Sequence, residues 1–475
     1  MTSSQIYSYL KSLKKDFGEI YIVGGAIRDI LTGKGLSRDI DILCKKPKEL
    51  SIALKKLTGG FSFDLGKEWN IWRVMTKEGT TIDVSSPFPN LNQNLIERDF
   101  SVNAIALKIE ENEEEIKLID PAYGIHDITN RILRTPDENN LKKDPIRLLR
   151  FYRFKSTLNF REDEITRIWV IKNSHLISES PPERITYELY KLLNGENWSE
   201  NLFEAFEVLF VHIHPDLESI FTFRKVPLRE HVFSTLEQLN KVLNDLGTYF
   251  PESSPEGGKV LKQLQEFLEE PLAADRKRES SMKLAALLHD WGKPFTYEEK
   301  KLNGRKEISF IKHDEVGAEK TLNLAERLKL SSREKEFLYN TVRWHMRIGA
   351  LAKTYNITKR ALYKIFRDMG SDAVATAIIS LADWKATYRG AFPMEVMSFH
   401  RHTVREIIRS YFQEREIVVK PKPIIRGNEL VELVGRKPGP WIKETLEELL
   451  ELQVEGKVKT RKEALRWVKE KFSLP

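Results

Sequence analysis

The chain has 475 residues, 41% of them hydrophobic and 31% charged, enough for two to four domains with cores of their own. Its one cysteine, Cys44, excludes an intramolecular disulfide and a cysteine-based zinc site; no run approaches the roughly 20 apolar residues of a membrane span, and Met1 to Gln5 has neither the charged nor the apolar region of a signal peptide. A formal net charge of +7 suits a polyanionic partner, and the composition as a whole points to the cytoplasm and away from membranes.

Ile20-Tyr21-Ile22-Val23 reads as a strand, Gly24-Gly25 as the turn after it, and Ala26 to Leu31 as a helix. Glycines there let backbone N–H groups approach a triphosphate, the helix N-terminus adds partial positive charge, and Arg28 supplies a fixed cation. Asp39 and Asp41 lie in Asp39-Ile40-Asp41-Ile42-Leu43, whose alternation puts both carboxylates on one strand face with Ile40 and Ile42 behind. Carboxylates at that spacing suit two Mg²⁺ ions about 3.5–4 Å apart, one serving an attacking hydroxyl and one a triphosphate. Taken alone, a Gly-Gly is most often a turn and an Asp-x-Asp a solvated loop; close together they outline a nucleotidyl-transfer site.

Further β-like runs at Ile71–Met75, Thr80–Val84, Ala104–Ile109 and Ile116–Ile119 alternate with helical stretches. Glu97-Arg98-Asp99-Phe100-Ser101-Val102-Asn103 offers Arg98 to a phosphate and Asp99 to a ribose hydroxyl, with the Asn103 amide beside them. Asp120-Pro121-Ala122-Tyr123-Gly124 is a turn by composition, either a simple connection or a hinge. Asp144-Pro145-Ile146-Arg147 opens a helix with proline near its start. Asp144 and Arg147, three apart, face the same way, although an ordinary cap with an intrahelical ion pair would look identical.

The β signal fades beyond Pro136, and helical patterns dominate from Asp144 onward, for example Ile146 to Phe154 and Ile185 to Leu193. The fold class is α+β: a head with a small mixed β-sheet and helices over 1–135, a helical neck over 136–200, a helical body over 201–415 and a helical tail over 416–475. Pro251 to Gly258 reads as an exposed loop, and Lys420-Pro421-Lys422-Pro423 as the break before the tail.

The ordered set Gly24-Gly25-x-x-Arg28-Asp29, Asp39-x-Asp41, Arg98-Asp99-x-x-x-Asn103, Asp120 to Gly124, Asp144-x-x-Arg147 and Glu183-Arg184-Ile185 resembles the class II tRNA nucleotidyltransferases. These share their head with bacterial poly(A) polymerases and add nucleotides to RNA 3′ ends. The resemblance implies catalytic Asp39 and Asp41 on Mg²⁺, and a nucleotide site of Gly24, Gly25, Arg28, Arg98, Asp99, Asn103 and Arg184. It also implies that Asp144 and Arg147 read the incoming base along its Watson–Crick edge. The sequence departs from the family at three places. Lys143 stands where a Glu often precedes the base-reading Asp, so Arg147 is oriented differently here, and Glu97 replaces an arginine before Arg98. Only fourteen residues separate Asp83 from Arg98, where enzymes that build the whole CCA end carry a longer flexible loop. A short loop is similar to enzymes that add two cytidines and leave the adenosine to a separate A-adding partner.

The body contains His231, His289-Asp290, His313, His345 and Asp383. Neighbouring helix positions lie about 100° apart, close enough for His289 and Asp290 to share a metal, and six such groups suit two divalent transition-metal ions with positions left for water. Leu284 to Lys293 resembles the central signature of HD-type phosphohydrolases, which implies phosphate-ester hydrolysis at 2′,3′-cyclic phosphate or 2′-phosphate ends, with Lys293 placed for an oxyanion. A metal-free relic is the other reading. In the tail, Arg436, Lys437 and Trp441 sit in a loop that is either a tRNA contact or a solvated connection.

The leading reading is an enzyme that transfers CMP from CTP to tRNA 3′ ends and stops after two cytidines, with a linked HD phosphohydrolase. Alternatives are a complete CCA-adding enzyme that also uses ATP, a poly(A) polymerase or A-adding enzyme, and a non-catalytic RNA-binding protein with a retired head. A last alternative makes the HD domain the main enzyme and the head a nucleotide sensor.

Overall fold

A computed structural model describes residues 3–35, 37–66, 70–110, 116–249, 255–302, 305–388 and 394–474. The chain divides into two compact units, residues 1–201 with 208–213, and residues 202–207 with 214–475. No helix among the described residues is long and apolar enough to cross a membrane.

The first unit is built on a seven-stranded sheet of β1 (Ile20–Val23), β2 (Asp39–Cys44), β3 (Phe61–Asp64), β4 (Trp72–Met75), β5 (Thr81–Ser85), β6 (Ala106–Lys108) and β7 (Lys117–Ile119), in the order β3-β4-β5-β2-β1-β6-β7. The β2–β5 pair is parallel and the others antiparallel. All four residues of β1 are buried, as its place next to the centre of the sheet requires. In β2 the pattern alternates: Ile40 and Ile42 are buried, while Asp39 and Asp41 face outward from the opposite side. Leu50 and Leu54, one turn apart on the helix Pro47–Thr58, are fully buried and cover the sheet.

Helices follow from Glu138 to Leu193. Ile146–Leu158 turns Leu148, Leu149, Phe151 and Tyr152 inward against Ile185, Leu189 and Leu192 of Pro182–Leu193. The strands found are shorter than expected from Ala104 to Ile109, because Ser101–Asn103 winds into a 3₁₀ turn before β6.

In the second unit, helices Leu228–Asn244, Arg278–Leu288, His313–Arg327, Ser332–Ala352 and Asp372–Tyr388 pack together. Asp372–Tyr388 is buried on nearly every side from Asp372 to Ala382, which makes it the central helix of the unit. The tail closes around Ile425, Leu430, Leu449, Val458, Ala464 and Val468.

Two features differ from the expectation. Pro255 to Gly258 is the start of the helix Pro255–Glu269 and not loop: proline suits a first helical turn, where its missing N–H has no partner to lose. The rest of that expected loop, 251–254, lies outside the described residues. The helical body also carries two hairpins, Pro271–Ala273 with Arg276–Lys277 and Glu298–Leu302 with Arg305–Ser309.

Candidate active sites

In the first unit a cleft of about 690 Å³ is lined by Gly25, Arg28, Asp39, Asp41, Arg98, Asp99, Asn103, Asp144 and Arg147, so nearly every residue singled out in the head faces one space. Strand pairing sets the acids. Asp41 lies opposite Val23, immediately before Gly24, on one side and Asp83 on the other. Asp83 is taken by Arg73 through two bonds of 2.7 Å, so of the acids on these paired strands Asp39 and Asp41 are the two that line the cleft. Burial raises the Asp41 pKa against the pull of Arg98, whose Nη1 lies 3.7 Å from its Oδ2.

Gly24 has φ 77°, and a Cβ there would lie 2.6 Å from Arg98 Nη1 and 3.0 Å from Asp41 Oδ2. A side chain there would push the Arg98 guanidinium aside and press on Asp41. The next residue, Gly25, begins the helix Gly25–Leu31.

Behind the acids runs a chain of charged hydrogen bonds. Arg28 donates to Asn103 Oδ1 at 2.7 Å and to Asp29 Oδ1 at 2.7 and 2.9 Å. Asn103 Nδ2 donates to Asp99 Oδ1 at 2.9 Å, which also accepts from the Phe100 N–H at 2.8 Å, and Asp99 Oδ2 pairs with Arg150 at 2.7 Å. Burial pushes Asp99 up, but Arg150 and the Asn103 bond outweigh it and hold its carboxyl below the usual range. Asp99 is therefore the hub that fixes the cations as well as a wall of the cleft.

Arg184 grips Asp144 through two bonds of 2.9 Å. Arg147 sits 3.8 Å from Asp144, and its Nη1 donates to the main-chain carbonyls of Glu97 at 2.8 Å and Asn140 at 3.1 Å. In its turn, Asp120 accepts from the N–H groups of Gly124 and Ile125 at 2.7 and 2.9 Å, at the start of the helix Gly124–Thr129.

Three cleft cations escaped the sequence reading: Arg150, Arg153 and Lys191. Arg28, Arg150 and Arg153 surround the ring of Phe154 at 5.2, 5.6 and 3.9 Å, and burial pushes Arg153 down to about 10. The signal was present, since Arg147, Arg150 and Arg153 recur every third residue on one helix and so share a face.

The second unit assembles all six residues proposed for its metal site. His231, His289 and Asp383 offer one set of ligand atoms within 4.8 Å of one another, and Asp290, His313 and His345 a second. Asp290 joins them: Oδ2 lies 3.2 Å from His231 and 3.3 Å from His289, while Oδ1 lies 3.6 Å from His313 and from His345. His289 and Asp290 do not lie within a helix as expected, but just past the end of Arg278–Leu288. There i→i+3 bonds from Trp291 and Lys293, both 3.0 Å, tighten the chain. Gly292 permits it, for a Cβ there would lie 1.9 Å from the His313 carbonyl.

Nδ1 of His289, His313 and His345 each bonds the main-chain carbonyl three residues back, at 2.8, 2.7 and 2.7 Å. That fixes the tautomer with Nε2 bare and aimed inward, the arrangement metal-ligating histidines adopt. Nε2 of His231 and of His289 is buried without a well-formed hydrogen bond. The donor set thus fits a divalent cation pair with a bridging carboxylate. Lys293 bonds Asp290 at 2.5 Å and lines two flanking cavities of about 350 and 260 Å³.

The chain matches the Poly A polymerase head domain over residues 20–134, the HD domain over 229–388 and tRNA nucleotidyltransferase domain 2 over 319–468. It is 31% identical over 459 residues to the A-adding tRNA nucleotidyltransferase of Deinococcus radiodurans, covering 94% of this chain and 95% of that one. The chain belongs to the tRNA nucleotidyltransferase family. CC-adding tRNA nucleotidyltransferases of Synechocystis and Thermus thermophilus are each 26% identical, over 94% of this chain and 92% of theirs. In fold it is similar to the Thermotoga maritima CCA-adding enzyme complexed with tRNA, with TM-score 0.62 at 17% identity over 98% of this chain and 94% of that one.

As a tRNA nucleotidyltransferase the chain is an enzyme of nucleotidyl transfer, a reaction that depends on divalent metal in this family. Its tail loop divides the three residues singled out there. Arg436 and Lys437 are exposed, whereas Trp441 packs edge-on to Phe472 at 5.6 Å and donates Nε1–H to the Lys437 carbonyl at 2.9 Å, closing the loop.

Proposed function

We propose that this tRNA nucleotidyltransferase adds two cytidines to tRNA 3′ ends from CTP. The observation that carries the reading is the join between β5, ending at Ser85, and the helix Leu91–Ile96. Five residues, 86–90, make it, and Asn90 caps the helix by accepting from the Gln93 N–H at 2.9 Å. A connection this short, pinned at its end, has no length to reshape the cleft for a second base.

Asp39 and Asp41 would hold Mg²⁺, which supplies charge stabilisation to the attacking 3′-hydroxyl and the leaving pyrophosphate. Arg28, Arg98, Arg150 and Arg153 receive the triphosphate on a positive floor already organised before the nucleotide arrives. Asp144, held by Arg184, and Arg147 present an acceptor and donors to the Watson–Crick edge of the base. The 3′-oxygen bonds the α-phosphorus, and the bond to pyrophosphate breaks. In the second unit the six-ligand cluster hydrolyses phosphate esters at RNA 3′ ends, with Lys293 at the developing negative charge.

The test supplies purified protein, Mg²⁺ and CTP, ATP or both to two tRNA transcripts, one ending at the discriminator base and one already carrying CC, and sequences the ends. CC on the first and nothing on the second is expected. Adenosine on the second overturns the reading. A second reading, A addition, is favoured by the 31% identity to an A-adding enzyme, and adenosine on the CC transcript without cytidines on the first would establish it.

A further inference from the structure

We propose that the ion pair between Glu97 and Lys143 positions Arg147, and through it determines which nucleotide the cleft accepts. This rests on the reading that Asp144 and Arg147 meet the base. Sequence comparison left two unconnected departures, an acid at 97 and a base at 143. The fold brings them together: Lys143 Nζ lies 3.0 Å from Glu97 Oε1, so the two departures are the ends of one bridge.

The bridge is one of three ties between the segment 96–98 and the helix Glu138–Lys143. Asn140 Nδ2 donates to the carbonyls of Ile96 and Arg98 at 2.8 and 2.9 Å. Arg147 supplies the third, its Nη1 donating to a carbonyl on each side, Glu97 at 2.8 Å and Asn140 at 3.1 Å. The guanidinium is therefore located by the spacing of two main-chain segments, and the side-chain pair sets that spacing together with Asn140. The Glu97 carboxylate takes a further bond from Gln93 at 2.8 Å, which holds it toward Lys143.

Glu97 and Lys143 line a separate groove of about 470 Å³ with Gln93, Asp137 and Asn140. They act on Arg147 from outside the nucleotide cleft, as positioning residues. An exposed pair of this kind contributes little to folding, but a reacting group displaced by about 1 Å can cost about 100-fold in rate.

The experiment measures kcat and KM for CTP and ATP, with thermal midpoints, in E97K, K143E, the exchanged E97K/K143E and R147A. Each single reversal puts like charges together and is expected to reduce discrimination between CTP and ATP about tenfold, chiefly through KM of the preferred nucleotide. The exchanged pair should return to within about threefold of the parent, and the thermal midpoints should stay together. Wild-type discrimination in the single reversals, or an exchange no better than either, overturns the proposal. R147A separates the two levels: if it keeps discrimination, the base-reading assignment itself fails; if it loses discrimination while the reversals keep it, only the role of the bridge fails.

Discussion

At Gly24 a side chain would press on both Arg98 and Asp41, the arginine and acid proposed for phosphate and metal. Alanine there would need both a backbone conformation close to one reserved for glycine and the withdrawal of Arg98 from Asp41. The conformational part costs about 1–3 kcal/mol, and misplacing the acid and arginine should lower kcat/KM about 100-fold. Nucleotide incorporation and a thermal melt of Gly24→Ala check this, and near-parent kinetics would show that the crowding does not matter. His400 gives a residue-level prediction of the opposite kind, visible in stability alone. It is buried, stacked on Trp384 at 5.1 Å, bonded to Ser380 at 3.1 Å and held down to about 4 by burial. Because its folded pKa lies below the unfolded value near 6.5, its contribution is complete above pH ~6.5. It is lost as pH falls toward 4, amounting to about 3 kcal/mol. Denaturant unfolding at pH 7.5 and 5 should show a steeper loss for the parent than for His400→Gln; parallel losses would count against it.

Elements differ in how plainly their residues announce them. β1 and β2 were legible because a buried run and an alternating Asp-Ile-Asp-Ile pattern have one sensible reading each, and so were the helices Ile146–Leu158 and Pro182–Leu193. The hairpin Glu298–Leu302 with Arg305–Ser309 was not, since its strands are mostly charged and bury no alternating face. The same contrast holds in the sites. Asp39, Asp41 and the six cluster ligands carry chemistry in their identity, whereas the Glu97–Lys143 bridge exists only after the fold joins distant segments. The element on which the proposed stop after CC rests is the five-residue join after β5. Inserting about ten flexible residues between Ser86 and Asn90 costs little in closure entropy. It should leave the thermal midpoint nearly unchanged while letting adenosine follow CC if length alone enforces the stop; CC ends from a well-folded insertion variant would place the stop elsewhere.

For the whole molecule, two compact units carry two chemically distinct candidate metal sites, one of carboxylates and one dominated by imidazole. Asp290→Asn should abolish metal-dependent phosphate-ester hydrolysis and any rise in thermal midpoint on adding Mn²⁺, Co²⁺ or Ni²⁺, while CTP incorporation with Mg²⁺ keeps the parent rate. Asp39→Asn should do the reverse. Loss of both activities in either variant, measured beside a thermal melt, would show that the sites are not separable. The main-chain carbonyls behind His289, His313 and His345 have a further consequence. Backbone atoms orient these rings whatever ion is present, so the scaffold supplies a ready geometry without choosing its occupant, and the occupant of the proposed site would follow the supply of first-row metals. The carboxylate oxygens in the other unit suit a hard cation such as magnesium. Under the proposed roles one chain would sample two ion pools, and scarcity of transition metal would silence the proposed phosphate-ester hydrolysis while nucleotide addition continues.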